Sequence, residues 1–172
     1  PRHRDSLCAA AAGHPMREIR REALVPHSPE QMFELIERVE DYPQFLPWCL
    51  STSLIARTPD SVSATVIVGV RELHAQVTTR NEKRPPEFMA IRMEGGTFRH
   101  FYGEWSLRPL GDAGCHIHFM LQYELPLHAE TLAGRLIEHA ADRMVDAFVR
   151  RAATVYAAEP EVHPPPGQPG AF

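Results

Sequence analysis

The sequence is poor in cysteine and in long apolar runs, and each shortage excludes a class of protein. Its three cysteines, Cys8, Cys49 and Cys115, form no CxxC pair, so neither a disulfide framework nor a structural zinc site is expected. No apolar run in the sequence approaches the ~20 residues that a membrane helix needs. We therefore expect a soluble protein of a reducing cytoplasm.

Positive charge is also scarce, and arginine carries almost all of it, since Lys83 is the single lysine. Two of the 18 basic residues and three of the 22 acidic residues lie near the chain ends, so residues 16–157 keep 16 basic against 19 acidic side chains, a net charge of −3. This balance argues against DNA binding, although a local basic patch for another nucleic acid stays open.

Both chain ends differ in composition from the middle. Residues 1–15 lack the apolar segment of a signal peptide, and we expect a disordered leader or a segment added for expression. Residues 158–172 are dense in Pro and Gly, which predicts a disordered tail. Residues 16–157 have the length and composition of one globular domain with its own core.

The domain begins with a predicted strand and a well-marked helix. Residues 17–25 mix charged and apolar side chains as an edge strand does. Ser28, followed by Pro29 and Gln31, predicts a capping box with Pro at the first helical position. We expect this helix to continue until Pro43 stops it.

From about residue 50 to residue 125 the hydrophobic period changes to two. This period predicts strands near 61–70, 73–80, 88–93, 101–107 and 115–125. A long amphipathic helix follows from about Ala129 to Tyr156, with an apolar stripe that extends to Val155. The order predicts an α+β fold in which the long C-terminal helix packs across a curved antiparallel sheet. The space between sheet and helix is either a packed core or a ligand cavity.

The segment DYPQFLPWC, residues 41–49, places two prolines and three aromatic rings within nine residues. Neither a linker nor a regular helix has this composition, so we expect a compact apolar corner near one end of the sheet and of the terminal helix. This corner either borders the mouth of a cavity or plugs the core. Composition does not separate the two arrangements.

Little in the sequence points to catalysis or to a metal. His116 and His118 lie two residues apart on one strand face, and no third ligand stands at a recognisable spacing. We therefore expect solvent-facing histidines rather than a metal site. The sequence has no GxSxG motif, and Cys49 and Cys115 are interpreted as small buried hydrophobes. We predict neither an enzyme nor a protein with a resident cofactor.

Three motifs, VEDYPQFLPWC, FRHFYGEW and DRMVDAFVRRA, resemble the polyketide cyclase/coenzyme Q-binding family of START-like (SRPBCC) proteins, in particular its RatA-like subgroup. The resemblance spans nearly all of residues 16–157 and implies a helix-grip (START-like) fold. In this fold a curved antiparallel sheet wraps around the long C-terminal helix and encloses a hydrophobic tunnel. In the coenzyme Q-binding branch it implies a carrier or chaperone for ubiquinone that supports respiration. In the RatA branch it implies a toxin that binds the large ribosomal subunit and blocks subunit joining.

Two hypotheses follow, and they use different residues. In the preferred one, a tunnel binds ubiquinone or a related lipid, with transient contact with the inner membrane, and its predicted wall is Phe45, Leu46, Trp48, Met89, Met93, Phe101, Trp105, Phe119 and Met144. In the alternative, cations contact ribosomal RNA, namely Arg80, Lys83, Arg84, Arg99, Arg143, Arg150 and Arg151. Arg99 and Arg143 suit either hypothesis, because a guanidinium at a tunnel mouth also binds a quinone oxygen.

Overall fold

In the computed structural model, which describes residues 16–112, 114–126 and 132–157, an antiparallel sheet curves around one long helix. The described strands are β1 (Arg17–Val25), β2 (Cys49–Arg57), β3 (Ser61–Val70), β4 (Leu73–Arg84), β5 (Phe88–Gly96), β6 (His100–Leu110) and β7 (Gly114–Glu124). The helices are α1 (Pro29–Glu37), α2 (Tyr42–Phe45) and α3 (Leu132–Val155). The predicted helix-grip fold is confirmed. The predicted leader and tail lie outside the described residues.

The sheet order is β1-β7-β6-β5-β4-β3-β2, and all neighbouring strands are antiparallel. The first strand pairs with the last one, so β1 and β2 form opposite edges of the sheet. The helix α3 contacts β1, β4 and β7 and thereby covers the inner face of the sheet. No helix within the described ranges is both long and apolar enough to cross a membrane.

The predicted capping box of α1 is confirmed. The Gln31 backbone N–H donates to Ser28 Oγ at 3.2 Å, and the Ser28 backbone N–H donates to Gln31 Oε1 at 3.0 Å. Pro29 occupies the first turn, where its missing N–H costs nothing. Sequence and structure therefore agree on where this helix begins.

The predicted end of α1 was wrong, because the helix ends at Glu37 and not at Pro43. Arg38 leaves the helical region with a ψ of 70°, which allows Val39 to pack against the buried side chains of β3. A 3₁₀ turn and the four-residue helix α2 follow. Pro43 lies in the first turn of α2, a position that proline tolerates.

Strand β2 has no distinct prediction in the sequence, and its exposure explains why. It is an edge strand whose apolar residues Leu54 and Ile55 are 43% and 59% exposed. The register with β3 also shifts between Cys49 and Ser51 and between Leu54 and Ala56. Without one buried face and one constant register, the strand lacks the period-two pattern on which the prediction depends.

The core lies between the inner face of the sheet and α3. On β7, five alternating residues are buried, namely Cys115, Ile117, Phe119, Leu121 and Tyr123. The predicted apolar stripe of α3 is mostly buried as well, although Val155 at the helix end is 46% exposed. At the centre, the fully buried Phe148 ring contacts Tyr42, Phe45 and Trp105 at centroid distances of 5.4, 5.0 and 5.1 Å. These edge-on aromatic contacts fix α3 against both the sheet and the corner segment.

Candidate functional site

A cavity of about 120 Å³ remains between the inner face of the sheet and α3. Strands β3, β4, β5, β6 and β7, helix α3 and the corner segment all contribute side chains to its wall. Most of the wall is apolar, and α3 contributes Ile137, Ala140, Ala141 and Met144. Short alanine side chains leave space where the helix crosses the curved sheet. The arrangement suits a small apolar group.

Four of the nine predicted tunnel residues line this cavity, namely Leu46, Trp48, Phe101 and Met144. Of the other five, Met89, Trp105 and Phe119 are buried in the core, where the Trp105 and Phe119 rings lie 4.6 Å apart. Phe45 and Met93 are half-buried and pack against the same core. These five lie outside the wall, so a role for them in binding a ligand stays a prediction.

The corner segment contributes side chains both to the cavity wall and to the core. Tyr42, Leu46, Trp48 and Cys49 border the cavity, while the Phe45 ring packs on Phe148. The Tyr42 hydroxyl donates a hydrogen bond to the Ile36 carbonyl at 2.5 Å. Burial raises the pKa of Tyr42 far above its ordinary value, so this donor stays protonated.

One part of the cavity wall is polar, and its residues are not among the nine predicted tunnel residues. Thr79 and Asn81 on β4 line the cavity and are 4% and 5% exposed. Asn81 Oδ1 has no hydrogen-bond partner among the described residues. A buried carbonyl without a partner costs about 1–3 kcal/mol, and a ligand that donates a hydrogen bond would remove that cost. The signal was present, because Thr79 and Asn81 share the period-two face of Ala75 and Val77.

Lys83 follows on the same inner face, which corrects its predicted role as an RNA contact. It is 6% exposed, and its Nζ lies 2.5 Å from Glu37 Oε1. Arg57 Nε approaches the same carboxylate oxygen at 3.6 Å. A buried ammonium needs such a partner, so Lys83 joins β4 to the end of α1 and is not available to phosphate.

The two described cysteines are poor nucleophiles. Burial raises the pKa of the Cys49 thiol to about 11 and also raises the pKa of Cys115. The thiolate is the reactive form of cysteine, and both side chains are therefore protonated at neutral pH. Cys49 contributes a neutral, weakly polar surface to the cavity wall.

Of the other cations predicted to contact RNA, some are exposed and others pair with neighbouring side chains. Arg99 Nε pairs with Glu124 Oε1 at 3.3 Å, and Arg151 donates to Gln44 Oε1 at 3.0 Å while its guanidinium lies over the Phe45 ring. Arg143 is exposed on α3. Neither Arg99 nor Arg143 belongs to the cavity wall, so a role at a tunnel mouth stays a prediction for both.

The outer face of the sheet carries arginines stacked on aromatic rings. The Arg84 guanidinium lies 4.4 Å from the centroid of Phe88, and that of Arg92 lies 5.2 Å from the centroid of Tyr102. A groove of about 330 Å³ separates Arg84 and Phe88 from Arg108 on β6. We call this feature the arginine groove; its wall consists of Arg84, Glu87, Phe88, Ser106, Leu107, Arg108 and Pro109.

Known proteins are similar to this chain in sequence and in fold. The profile of the family described as polyketide cyclase/dehydrase and lipid transport matches residues 25–149. Ribosome association toxin RatA of Escherichia coli strain K12 is 38% identical over 144 residues, which cover 83% of this chain and 91% of that protein.

Two further comparisons give a more distant relative in sequence and a solved structure of similar fold. The mitochondrial coenzyme Q-binding protein COQ10 of Drosophila melanogaster is 26% identical over 133 residues, covering 74% of this chain and 54% of that protein. The crystal structure of the Zhui aromatase/cyclase from Streptomyces sp. R1128 superposes with a TM-score of 0.73 at 16% identity, covering 84% of this chain and 98% of that one. The chain therefore belongs to the polyketide cyclase/dehydrase and lipid transport family, and within it to the RatA-like proteins.

Proposed function

We propose that this protein associates with the ribosome and that it does so by binding ribosomal RNA on the large subunit. The observation that carries the proposal is the 38% identity to a protein named ribosome association toxin RatA, over 91% of that protein's length. The similarity to a coenzyme Q-binding protein is lower, at 26%, and covers 54% of its length. Ribosome association therefore ranks above the quinone carrier that the sequence analysis preferred.

The arginine groove is the surface that we propose for the RNA contact. RNA-binding proteins stack bases on aromatic rings and guanidinium planes and hold phosphate with arginine. Arg84, Phe88 and Arg108 offer these groups around one groove. Stacking on Phe88 holds the Arg84 guanidinium in a fixed plane, which lowers the entropy lost on binding. Because residues 16–157 carry net negative charge, the attraction has to be local.

The size of the cavity also lowers the rank of the quinone carrier. Pockets for drug-sized ligands have volumes of about 300–1,000 Å³, whereas this cavity measures about 120 Å³. A cavity of ~150 Å³ holds one benzene ring. A polyprenyl quinone would therefore need α3 or the corner segment to move outward before its tail enters.

A second candidate function, binding of a small apolar ligand, is favoured by the side-chain oxygen of Asn81. This oxygen borders an apolar cavity and has no partner among the described residues. A ligand with one ring-sized apolar part and one hydroxyl or N–H would fill the space and hydrogen-bond to Asn81. We infer that such a ligand would stabilise the folded protein.

Co-sedimentation with purified ribosomal subunits tests the main proposal. Wild-type protein is expected to sediment with large subunits at low salt and to dissociate as salt rises, because RNA binding releases counterions. The double variant Arg84→Glu, Arg108→Glu is expected to bind at least about tenfold more weakly, since two phosphate contacts become repulsive.

Charge reversal on α3 is the matched control, because Arg143→Glu, Arg150→Glu changes the net charge equally and lies on a different surface. This control is expected to bind like the wild type. If wild-type protein does not sediment with subunits even at low salt, the proposed function is wrong. If the α3 variant alone loses binding, the arginine groove is the wrong surface.

Mass spectrometry of small molecules extracted from the natively purified protein tests the second candidate. A ligand is expected in the wild type and in a Thr78→Val control, because Thr78 lies on the outer face and bonds Thr65 at 2.8 Å. Asn81→Leu is expected to remain folded, because leucine has a similar volume. It is expected to lose the ligand, because its side chain has no oxygen that accepts a hydrogen bond. An equal amount of ligand in all three proteins would contradict the role of Asn81.

A further inference from the structure

The outer face of β1 and β7 brings together one carboxylate and two imidazoles. Glu22 lies opposite His118 in the antiparallel register, and His116 lies two residues away on the same strand face. Glu22 Oε2 lies 3.3 Å from His116 Nε2 and 3.4 Å from His118 Nδ1, and the two rings approach to 3.2 Å between His118 Nε2 and His116 Nδ1. The sequence shows two of these three donors as neighbours, and strand pairing supplies the third.

We propose that Glu22, His116 and His118 bind a divalent transition metal of the zinc class. One donor atom from each residue lies within 4.8 Å of the other two. Donors around a single tetrahedral zinc, each at about 2.0–2.1 Å, are separated by roughly 3.4 Å. The two distances from Glu22 Oε2 to the imidazole nitrogens, 3.3 and 3.4 Å, already match that separation.

The donor set selects the kind of metal. Imidazole nitrogen is preferred by zinc, copper, nickel and cobalt, whereas magnesium and calcium prefer all-oxygen sites. Two histidines and one glutamate are also the protein ligands of zinc sites that keep one position for water. Zinc-class ions should therefore bind here, and magnesium should not.

The surroundings of the three donors leave room for a water molecule as the fourth metal ligand. The side chains of Glu22, His118 and His116 are 66%, 41% and 29% exposed. Glu22 and His118 also line an open groove of about 600 Å³ on the outer face, together with Ser106 of β6. A bound metal would link the edge strand β1 to β7 and hold an exchangeable water at the groove. This inference does not depend on the proposed ribosome association.

Titration of the full chain with Zn²⁺, with Mg²⁺ as the control ion, tests the site through thermal unfolding. Zn²⁺ is expected to raise the Tm of the wild type in a concentration-dependent way, because an ion bound only by the folded state stabilises it. Mg²⁺ is expected to leave the Tm unchanged. Co²⁺ is expected to give the strong visible absorption of a tetrahedral nitrogen-oxygen site.

Variants separate this site from the other histidines of the chain. Loss of an outer-sphere partner of a metal ligand already weakens binding about 10–100-fold, so His116→Ala, His118→Ala is expected to lose at least about 100-fold in zinc affinity, and Glu22→Gln about tenfold or more. His139→Asn on the exposed face of α3 is the matched control and should titrate like the wild type. Unchanged zinc affinity in the double variant, or no zinc-dependent Tm shift in the wild type, would overturn the proposal.

Discussion

The two faces of the sheet are built from the same strands and differ in almost every property. On β4, Ala75, Val77 and Asn81 face α3 and are buried, while Arg80 and Arg84 between and beyond them are exposed. The inner face is mostly apolar and encloses a cavity of about 120 Å³. The outer face carries arginines, stacked rings and a histidine cluster.

This difference shows which residues the fold constrains. A structure with 16% sequence identity superposes with a TM-score of 0.73, so the fold tolerates extensive changes of sequence. On the outer face, Arg84, Arg92 and Arg108 are exposed, so core packing does not dictate these cations. The proposed RNA contact, the arginine groove, accordingly lies on the outer face.

Truncation of Phe148 is expected to have the largest effect on the inner face. Phe148→Ala removes a fully buried ring that contacts Tyr42, Phe45 and Trp105, and it should lower the free energy of unfolding by about 3–5 kcal/mol. Urea denaturation measures the change. The outer-face control Arg108→Ala should stay within about 0.5 kcal/mol of the wild type. Equal losses would erase the distinction between the two faces.

A smaller effect is expected at the end of β5, where one of two adjacent glycines serves as the control for the other. A Cβ on Gly96 would lie 2.2 Å from the Gln76 carbonyl oxygen, and its φ of 135° is strained for other residues. Gly96→Ala should therefore cost about 2–3 kcal/mol. A Cβ on Gly95 would meet nothing within 4 Å, so Gly95→Ala should cost less than about 1 kcal/mol. Equal thermal shifts for both variants would contradict this account.

The smallest expected effect concerns the pH dependence set by Cys49 on the cavity wall. Burial raises the pKa of this thiol from 9.0 to about 11. The unfolded chain therefore releases this proton first, so stability falls as pH rises from 9 to 11, by roughly 1–2 kcal/mol from this group. Cys49→Ala should flatten that part of the stability curve. A loss identical in both proteins between pH 9 and pH 11 would show that the thiol is not responsible.

Local sequence patterns predicted most helices and strands, because capping hydrogen bonds and side-chain alternation depend on residues close together in the sequence. The side chains of Ser28 and Gln31 accept hydrogen bonds from backbone N–H groups at the start of α1, and both contacts are local in the sequence. Period-two alternation likewise marked most strands. It did not mark β2, because residues such as Leu54 and Ile55 are exposed on an unpaired edge.

The candidate sites depend on contacts between residues that are distant in the sequence, and this limited their prediction. His116 and His118 were visible as a pair, but only the pairing of β1 with β7 brings Glu22 to them. The Lys83 side chain carries a charge that predicts a surface position, yet its strand register directs it to Glu37. Extending the alternation of β4 from Ala75 through Lys83 would have found that orientation.

The most direct test compares one change on each face in the same ribosome co-sedimentation assay. Asn81→Leu alters the cavity and leaves the outer face intact, while Arg84→Glu, Arg108→Glu alters the arginine groove. We expect the arginine variant to lose at least about tenfold in affinity for large subunits and the Asn81 variant to bind like the wild type. Loss of binding in Asn81→Leu with full binding in the arginine variant would contradict the assignment of function to the outer face.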